Sequence, residues 1–195
     1  MSRPAAVPLE AQPATFSLDL EAIGKRARAH LEEGAVTEDY RGDLRTIVKL
    51  LNDSLATELV CVLRYRQHHF MSSALGGVAG FAVTDELMQH AQDELAHADK
   101  LAERITQLGG TPDFAPASLA SRSHTEYRVS DSLRAMLTED LVAERIAVEA
   151  YGTVVRFIGD KDPTTRRLLE EILAQEEEHA AELSDFLKRL PPSDG

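Results

Sequence analysis

Read at spacings of three and four residues, the chain yields four long apolar stripes, the pattern of amphipathic helices. The first, within Arg41 to Ser73, reads Leu44, Val48, Leu51, Leu55, Glu58, Val62, Tyr65. The second, within Val83 to Leu108, reads Leu87, His90, Glu94, His97, Leu101, Leu108. The third, within Asp131 to Ile158, reads Leu133, Leu137, Leu141, Glu144, Val148, Tyr151, Val155, Ile158. The fourth starts near Asp162 and reads Leu169, Ile172, Glu176, His179, Leu183, Phe186, Leu190. Gly76-Gly77, Gly109-Gly110, Gly159 and Pro191-Pro192 supply the stops, and Pro163 suits a first helical position. No strand pattern competes. Two short connections and one long link, Thr111 to Ser130, predict an all-α four-helix bundle with one long crossover over residues 41–190. Ahead of it, Ser17 to Glu33 predicts a short helix with Leu20, Ile23, Ala27 and Leu31 on one face, within an N-terminal helical extension over 17–40. Residues 1–16, rich in Pro and Ala, read as a flexible tail.

Each stripe is apolar except near its middle. There every helix places a glutamate, and the second and fourth add a histidine three residues later, on the same face. A buried charge is costly unless it is paired or binds metal. Glu58, Glu94, Glu144 and Glu176 carry four negative charges, which two divalent cations would cancel. Glu-x-x-His alone is a weak signal. Its strength here lies in the order Glu58, Glu94-x-x-His97, Glu144, Glu176-x-x-His179 and in the phase of all four helices. The halves also echo each other: Leu55-x-x-Glu58 followed by Tyr65 matches Leu141-x-x-Glu144 followed by Tyr151. One glutamate from each of two helices and a Glu-x-x-His pair from each of the other two is the ligand set of di-iron carboxylate bundles.

Composition narrows the classes. Lys+Arg is 21 against Asp+Glu 33, a formal charge of −12, which argues against nucleic acid as a partner and favours attraction of cations. The single cysteine, Cys61, excludes an internal disulfide framework and a cysteine-cluster metal site. No apolar run approaches the ~20 residues of a membrane span, and MSRPAAVPLEAQPATF lacks an apolar signal segment. A cytoplasmic protein without membrane contact is expected.

The segments LNDSLATELVCVLRYRQHH, DELAHADKLAERI, EDLVAERIAVEAY and EEILAQEEEHAAEL resemble the four helices of bacterioferritins and their Dps-like relatives in the ferritin superfamily, over about residues 41–190. The resemblance implies a ferritin-like bundle and two iron ions per chain. It implies Glu58 and Glu144 as terminal ligands, Glu94 and Glu176 as bridges, and His97 and His179 as ligands of one iron each. Tyr65 matches a tyrosine beside the metal site and is the catalytic candidate. The implied activity is ferroxidation of Fe²⁺ with O₂ or H₂O₂, for iron storage or detoxification. A di-iron oxygenase or a rubrerythrin-like peroxidase would use the same six ligands. Zn²⁺ or Mn²⁺ would also fit such donors. Two departures matter. The position of the family's haem-ligating methionine holds Leu95, so no haem is expected. The bacterioferritin fifth helix has no counterpart, which favours a homo-oligomer of twelve or two chains over one of twenty-four.

Other residues receive plainer readings. His90 is a core histidine or one that supports the ligands. His68 and His69 are expected at the surface or at a subunit contact. Asp93, Glu149, Glu177 and Glu178 are expected in solvent. Tyr65 and Tyr151 are expected to donate to ligand carboxylates, and Cys61 to be a small buried residue.

Overall fold

The four stripes fold onto one another as two helical hairpins. In the computed structural model, which describes residues 16–75 and 77–190, the helices are α1 (Leu20–Arg26), α2 (Leu44–Leu75), α3 (Gly77–Gln107), α4 (Pro116–Arg122), α5 (Leu133–Ile158) and α6 (Pro163–Arg189), with a 3₁₀ turn at Leu31–Glu33. There is no strand among the described residues. α2 packs on α3 and α5 on α6, and the hairpins meet through α2 with α5 and α3 with α6. This is the all-α bundle with one long crossover that the stripes predict. Residues 1–15, Gly76 and residues 191–195, on which the expected flexible tail, part of the expected Gly76-Gly77 loop and the expected Pro191-Pro192 stop fall, lie outside the described residues.

Three expectations need correction. α3 begins at Gly77, six residues before Val83. Glycine weakens a helix by about 1 kcal/mol per residue but does not break it as proline does, so Gly77 and Gly80 are tolerated. The N-terminal helix covers only Leu20–Arg26, because His30 takes a left-handed conformation, φ 50°. Its expected core face is uncovered: Leu20, Ile23 and Leu31 are 71%, 38% and 74% exposed. A short helix with nothing packed on it has little to hold further turns. In α5 the buried face is shifted by about one position. Met136, Asp140, Ala143, Ala147 and Val154 are buried beside Leu137, Glu144, Tyr151 and Ile158, while Leu141, Val148 and Val155 lie at the margin. The small alanines let the helices approach, which a search for large apolar residues overlooks.

Two apolar clusters divide the core. One holds Ile47, Leu51, Leu55, Leu101, Ile105, Ile158, Leu169 and Ile172. The other holds Cys61, Tyr65, Val83, Leu87, Leu137 and Leu183. The mid-helix glutamates fall between them in sequence on every helix.

The crossover is pinned along α2. Asn52 donates to Thr111 O and accepts from the Asp113 N–H, Arg122 donates to Asn52 O, and the His124 N–H donates to Thr57. Further along, the buried Arg64 donates to Asp140 at 3.0 Å and to Thr125 and Glu126 O. His68 shares Asp140, with Nδ1 at 2.9 Å. His68 is therefore fully buried rather than at the surface; the carboxylate that draws it inward comes from a distant helix. His69 is half-buried, with Nδ1 2.8 Å from Thr84 O.

At the far end, Asp162 caps α6 by accepting from the Thr165 N–H at 2.9 Å. It also accepts from Tyr40 at 2.7 Å and from Arg104 at 3.0 Å, which ties the N-terminal segment and α3 to the start of α6. Burial pushes this carboxyl up, but hydrogen bonds from Thr165 and Tyr40 and the Arg104 charge hold it below the usual range. Asp162→Ala would remove the cap and strand a buried guanidinium. Its expected destabilisation is about 3–5 kcal/mol, read from urea unfolding, with Asp162→Asn less severe.

Candidate metal centre

Each of the four long helices turns its mid-length glutamate inward because the apolar residues a turn away on either side are buried. Glu58, Glu94, Glu144 and Glu176 meet there with His97 and His179, and none of the six is more than 3% exposed. They form two overlapping groups. Glu58, Glu94, His97 and Glu176 each bring a donor atom within 4.8 Å of the others, and so do Glu94, Glu144, Glu176 and His179. Glu94 and Glu176 belong to both groups. His97 Nδ1 lies 3.0 Å from Glu176, 3.4 Å from Glu58 and 3.5 Å from Glu94. His179 Nδ1 lies 3.4 Å from Glu94.

Five of these buried atoms have no hydrogen-bond partner: Glu58 Oε2, Glu94 Oε1, His97 Nδ1, Glu176 Oε1 and His179 Nδ1. A buried polar atom left unsatisfied costs about 1–3 kcal/mol. Five such atoms converging from three helices, with Glu144 of α5 beside them, make a donor set for cations, with the oxygen and imidazole ligands that suit iron, manganese or zinc.

A ring of outer contacts aims the donors. Tyr65 donates to Glu144, and Tyr151 donates to Glu58. Each tyrosine stands seven residues beyond the glutamate of its own helix and holds the glutamate of the opposite hairpin. The histidines follow the same logic. His97 Nε2 is 2.9 Å from Gln175 Oε1, and His179 Nε2 is 3.6 Å from Asp93, so both rings turn Nδ1 toward the carboxylates. Gln175 and Asp93 each directly precede the shared glutamate of their helix. That repeated position was a signal in the sequence; Asp93, expected in solvent, is instead partly buried against His179. His90 is buried, and its ring stacks on His179 at 4.1 Å. Glu149, Glu177 and Glu178 are exposed, as expected. Cys61 is buried, and burial pushes its thiol up.

Protons fill the place of cations when none is bound. Burial, then the charges of Glu58 and Glu144, pushes Glu94 well up. Burial, then Glu176, does the same to Glu144. Glu176 is pushed up to about 8 by burial and by Glu94 and Glu58. Burial also raises Glu58, but hydrogen bonding with Glu94, His97 and Tyr151 outweighs it and leaves that carboxyl low. For His97 burial favours the neutral ring, and the carboxylates of Glu176, Glu58 and Glu94 gathered around Nδ1 reverse this and raise it strongly.

The sequence profile of the ferritin-like domain matches residues 48–192. The chain belongs to the ferritin-like family. Among curated relatives of this ferritin-like chain, bacterioferritin of Mycobacterium avium is 29% identical over 149 residues, covering 74% of this chain and 85% of the relative. A nutrient stress-induced DNA-binding protein of Synechococcus is 32% identical over 145 residues, covering 70% and 78%. Among solved structures, a dodecameric thioferritin, the bacterioferritin-related protein of Bacteroides fragilis, superposes with a TM-score of 0.71 at 28% identity, covering 76% of this chain and 88% of that one. The resemblance to bacterioferritins and Dps-like proteins holds, and the buried carboxylate and histidine groups fit iron.

Stability should depend on pH in a way this cluster dictates. A carboxyl raised in the folded state contributes most below its unfolded value, and that contribution is lost as pH rises. In chelator, the melting temperature should fall between about pH 4.5 and pH 8 through Glu176, with His97 adding to the fall above pH 6.5. Glu176→Gln should make the fall shallower. Saturating Zn²⁺ should reverse the slope, since protons and metal compete for the same atoms. Thermal melts across pH, with and without metal, check all three.

Proposed function

We propose that this chain is a ferroxidase that takes Fe²⁺ as substrate at a two-metal centre within one bundle and serves iron storage or detoxification. The observation that carries this reading is the pair of overlapping donor groups sharing Glu94 and Glu176. Two ions would share Glu94 and Glu176, with Glu58 and His97 holding one and Glu144 and His179 the other. A pair of Fe²⁺ held there supplies one electron from each ion to an oxidant, O₂ or H₂O₂.

The chain's residues do the rest. Glu94, Glu144, Glu176 and His97 give up protons as cations arrive. Tyr65 and Tyr151 fix Glu144 and Glu58 by one oxygen each, and the second oxygen of Glu58 has no hydrogen-bond partner and is left to face metal. Tyr65, the catalytic candidate from the sequence, thus acts in this reading by positioning Glu144. The apolar clusters around Leu55 and Ile172 and around Leu87 and Leu183 keep bulk water away. The net charge of −12 draws cations toward the protein.

The same reading takes residues 41–190 as the working bundle, 17–40 as an appended segment and 1–16 as a tail. It makes the protein a homo-oligomer of twelve or two chains, supported by the dodecameric relative from Bacteroides fragilis. It assigns no nucleic-acid role despite the DNA-binding name of the Synechococcus relative, because the charge balance opposes phosphate contact; a band-shift assay at low and physiological salt should show no shift. A cytoplasmic setting is supported by the lone free Cys61, and no described helix is long and apolar enough to cross a membrane.

Stopped-flow absorbance on apo-protein mixed aerobically with two Fe²⁺ per chain tests the reading. Fast oxidation that saturates at two irons is expected, with further turnover on added iron. A rate equal to the protein-free control would move the assignment to a di-metal oxygenase or peroxidase. Glu94→Ala with Glu176→Ala should remove the two metal equivalents of this centre and keep the helical fold, measured by equilibrium dialysis and circular dichroism. Tyr65→Phe should lower metal affinity about 10- to 100-fold while preserving two sites per chain.

A further inference from the structure

A third group of metal-type side chains stands beside the centre and is used by none of the steps above. Glu86 and His90 lie one turn apart on α3, and Glu182 faces them from α6. One donor atom of each falls within 4.8 Å of the other two. His90 Nε2 is 3.0 Å from Glu182 and 3.5 Å from Glu86. The imidazole is 1% exposed, whereas the Glu86 and Glu182 side chains are 32% and 40% exposed. The group is therefore open to water through its carboxylates and closed behind its histidine.

The closed side leads to the centre. The His90 ring lies against that of His179, centroids 4.1 Å apart. His179 in turn points Nδ1 at Glu94 and Nε2 at Asp93. An unbroken file of donors thus runs inward from Glu86 and Glu182 through His90 to His179, Asp93 and Glu94.

A structural histidine would be satisfied by one carboxylate, and Glu182 alone provides that. The second carboxylate adds like charge at the same spot. Burial, then the neighbouring Glu182, raises the Glu86 carboxyl above its ordinary value. His90 Nε2 faces both carboxylates, 3.0 Å from Glu182 and 3.5 Å from Glu86, which puts a ring nitrogen and two carboxylate oxygens around one point. His90 Nδ1 has no hydrogen-bond partner, so no second contact fixes the ring as a purely structural element. Two carboxylates and an imidazole on a half-open face are ligands of the kind that bind a divalent transition metal, with water completing the shell.

We propose that Glu86, His90 and Glu182 form a third metal site, which takes a divalent cation from solvent and passes it to the His179 side of the two-metal centre. The site stands without the ferroxidase reading; only the hand-over rests on it. Passage is ligand exchange with no change of oxidation state.

Zn²⁺, which undergoes no oxidation, is the probe for the site. Anomalous diffraction from crystals of the full chain grown with Zn²⁺ should show a third peak, about 2.0–2.2 Å from His90 nitrogen and the carboxylate oxygens. Solution titration should give a third equivalent per chain. Glu182→Gln keeps the shape and the hydrogen bond to His90 and should remove that equivalent alone. Zn²⁺ at the six-ligand centre with nothing between Glu86, His90 and Glu182 would overturn the site. So would a third equivalent that survives both Glu182→Gln and Glu86→Gln. A third peak without the other two would sink the two-metal reading instead, and absence of all three would sink both. For the hand-over, Glu182→Gln should slow Fe²⁺ oxidation at two ions per chain about tenfold with the same final amplitude. An unchanged rate would overturn it.

Discussion

The molecule is organised around the cost of placing four carboxylates at one level inside a helical bundle. Burial and mutual repulsion both act against the charged forms, and packing elsewhere does not relieve either. The cluster can exist as protonated acids, or as carboxylates around cations. Its surroundings serve one of those two states. Hydroxyls from Tyr65 and Tyr151 meet the two terminal glutamates. Each helix must also be long enough to carry apolar residues on both sides of its glutamate, which accounts for lengths of 26 to 32 residues in a chain of this size.

The long crossover is the second requirement. Two hairpins joined by a short turn would bring different helices together. Here a segment of the chain travels along α2, held in turn by Asn52, Thr57 and Arg64, before α5 begins. Arg64 does two things at once. It anchors the crossover, and its charge pairs with Asp140, the one other fully buried carboxylate of α5, against which His68 also packs. The charge inside the bundle is thus segregated: Asp140 is compensated by an arginine, and no arginine or lysine hydrogen bond to the four glutamates is seen among the described residues.

The six central residues were legible in the sequence because a charged residue interrupted an apolar stripe at the same depth on four helices. Periodicity reports such interruptions directly. It reports less about partners that arrive from elsewhere in the chain. His68 reads as one of a polar pair near a helix end until Asp140, 72 residues away, is seen beside it. Asp93 reads as a solvated residue for the same reason, with His179 on a distant helix. The exposed face of α1 shows the opposite error: an amphipathic pattern says that a helix can bury one side, and the fold decides whether anything covers it. The start of α3 and the short helix α4 escaped notice because glycine and proline signals mark where a helix is weak, and neighbouring turns decide where it ends.

The reciprocal contacts have a consequence for the protein while it is being made. Glu58 is steadied by a tyrosine of the second hairpin and Glu144 by a tyrosine of the first; His97 and His179 likewise each face a residue from the other hairpin. Neither hairpin alone carries an oriented ligand set. Synthesis releases α2 and α3 well before α5 and α6, yet that first half has two glutamates and a histidine with none of their outer supports. The cluster is assembled only when the last helix docks, so an unfinished chain emerging from the ribosome carries half of the converging carboxylates and imidazoles and none of the contacts that aim them.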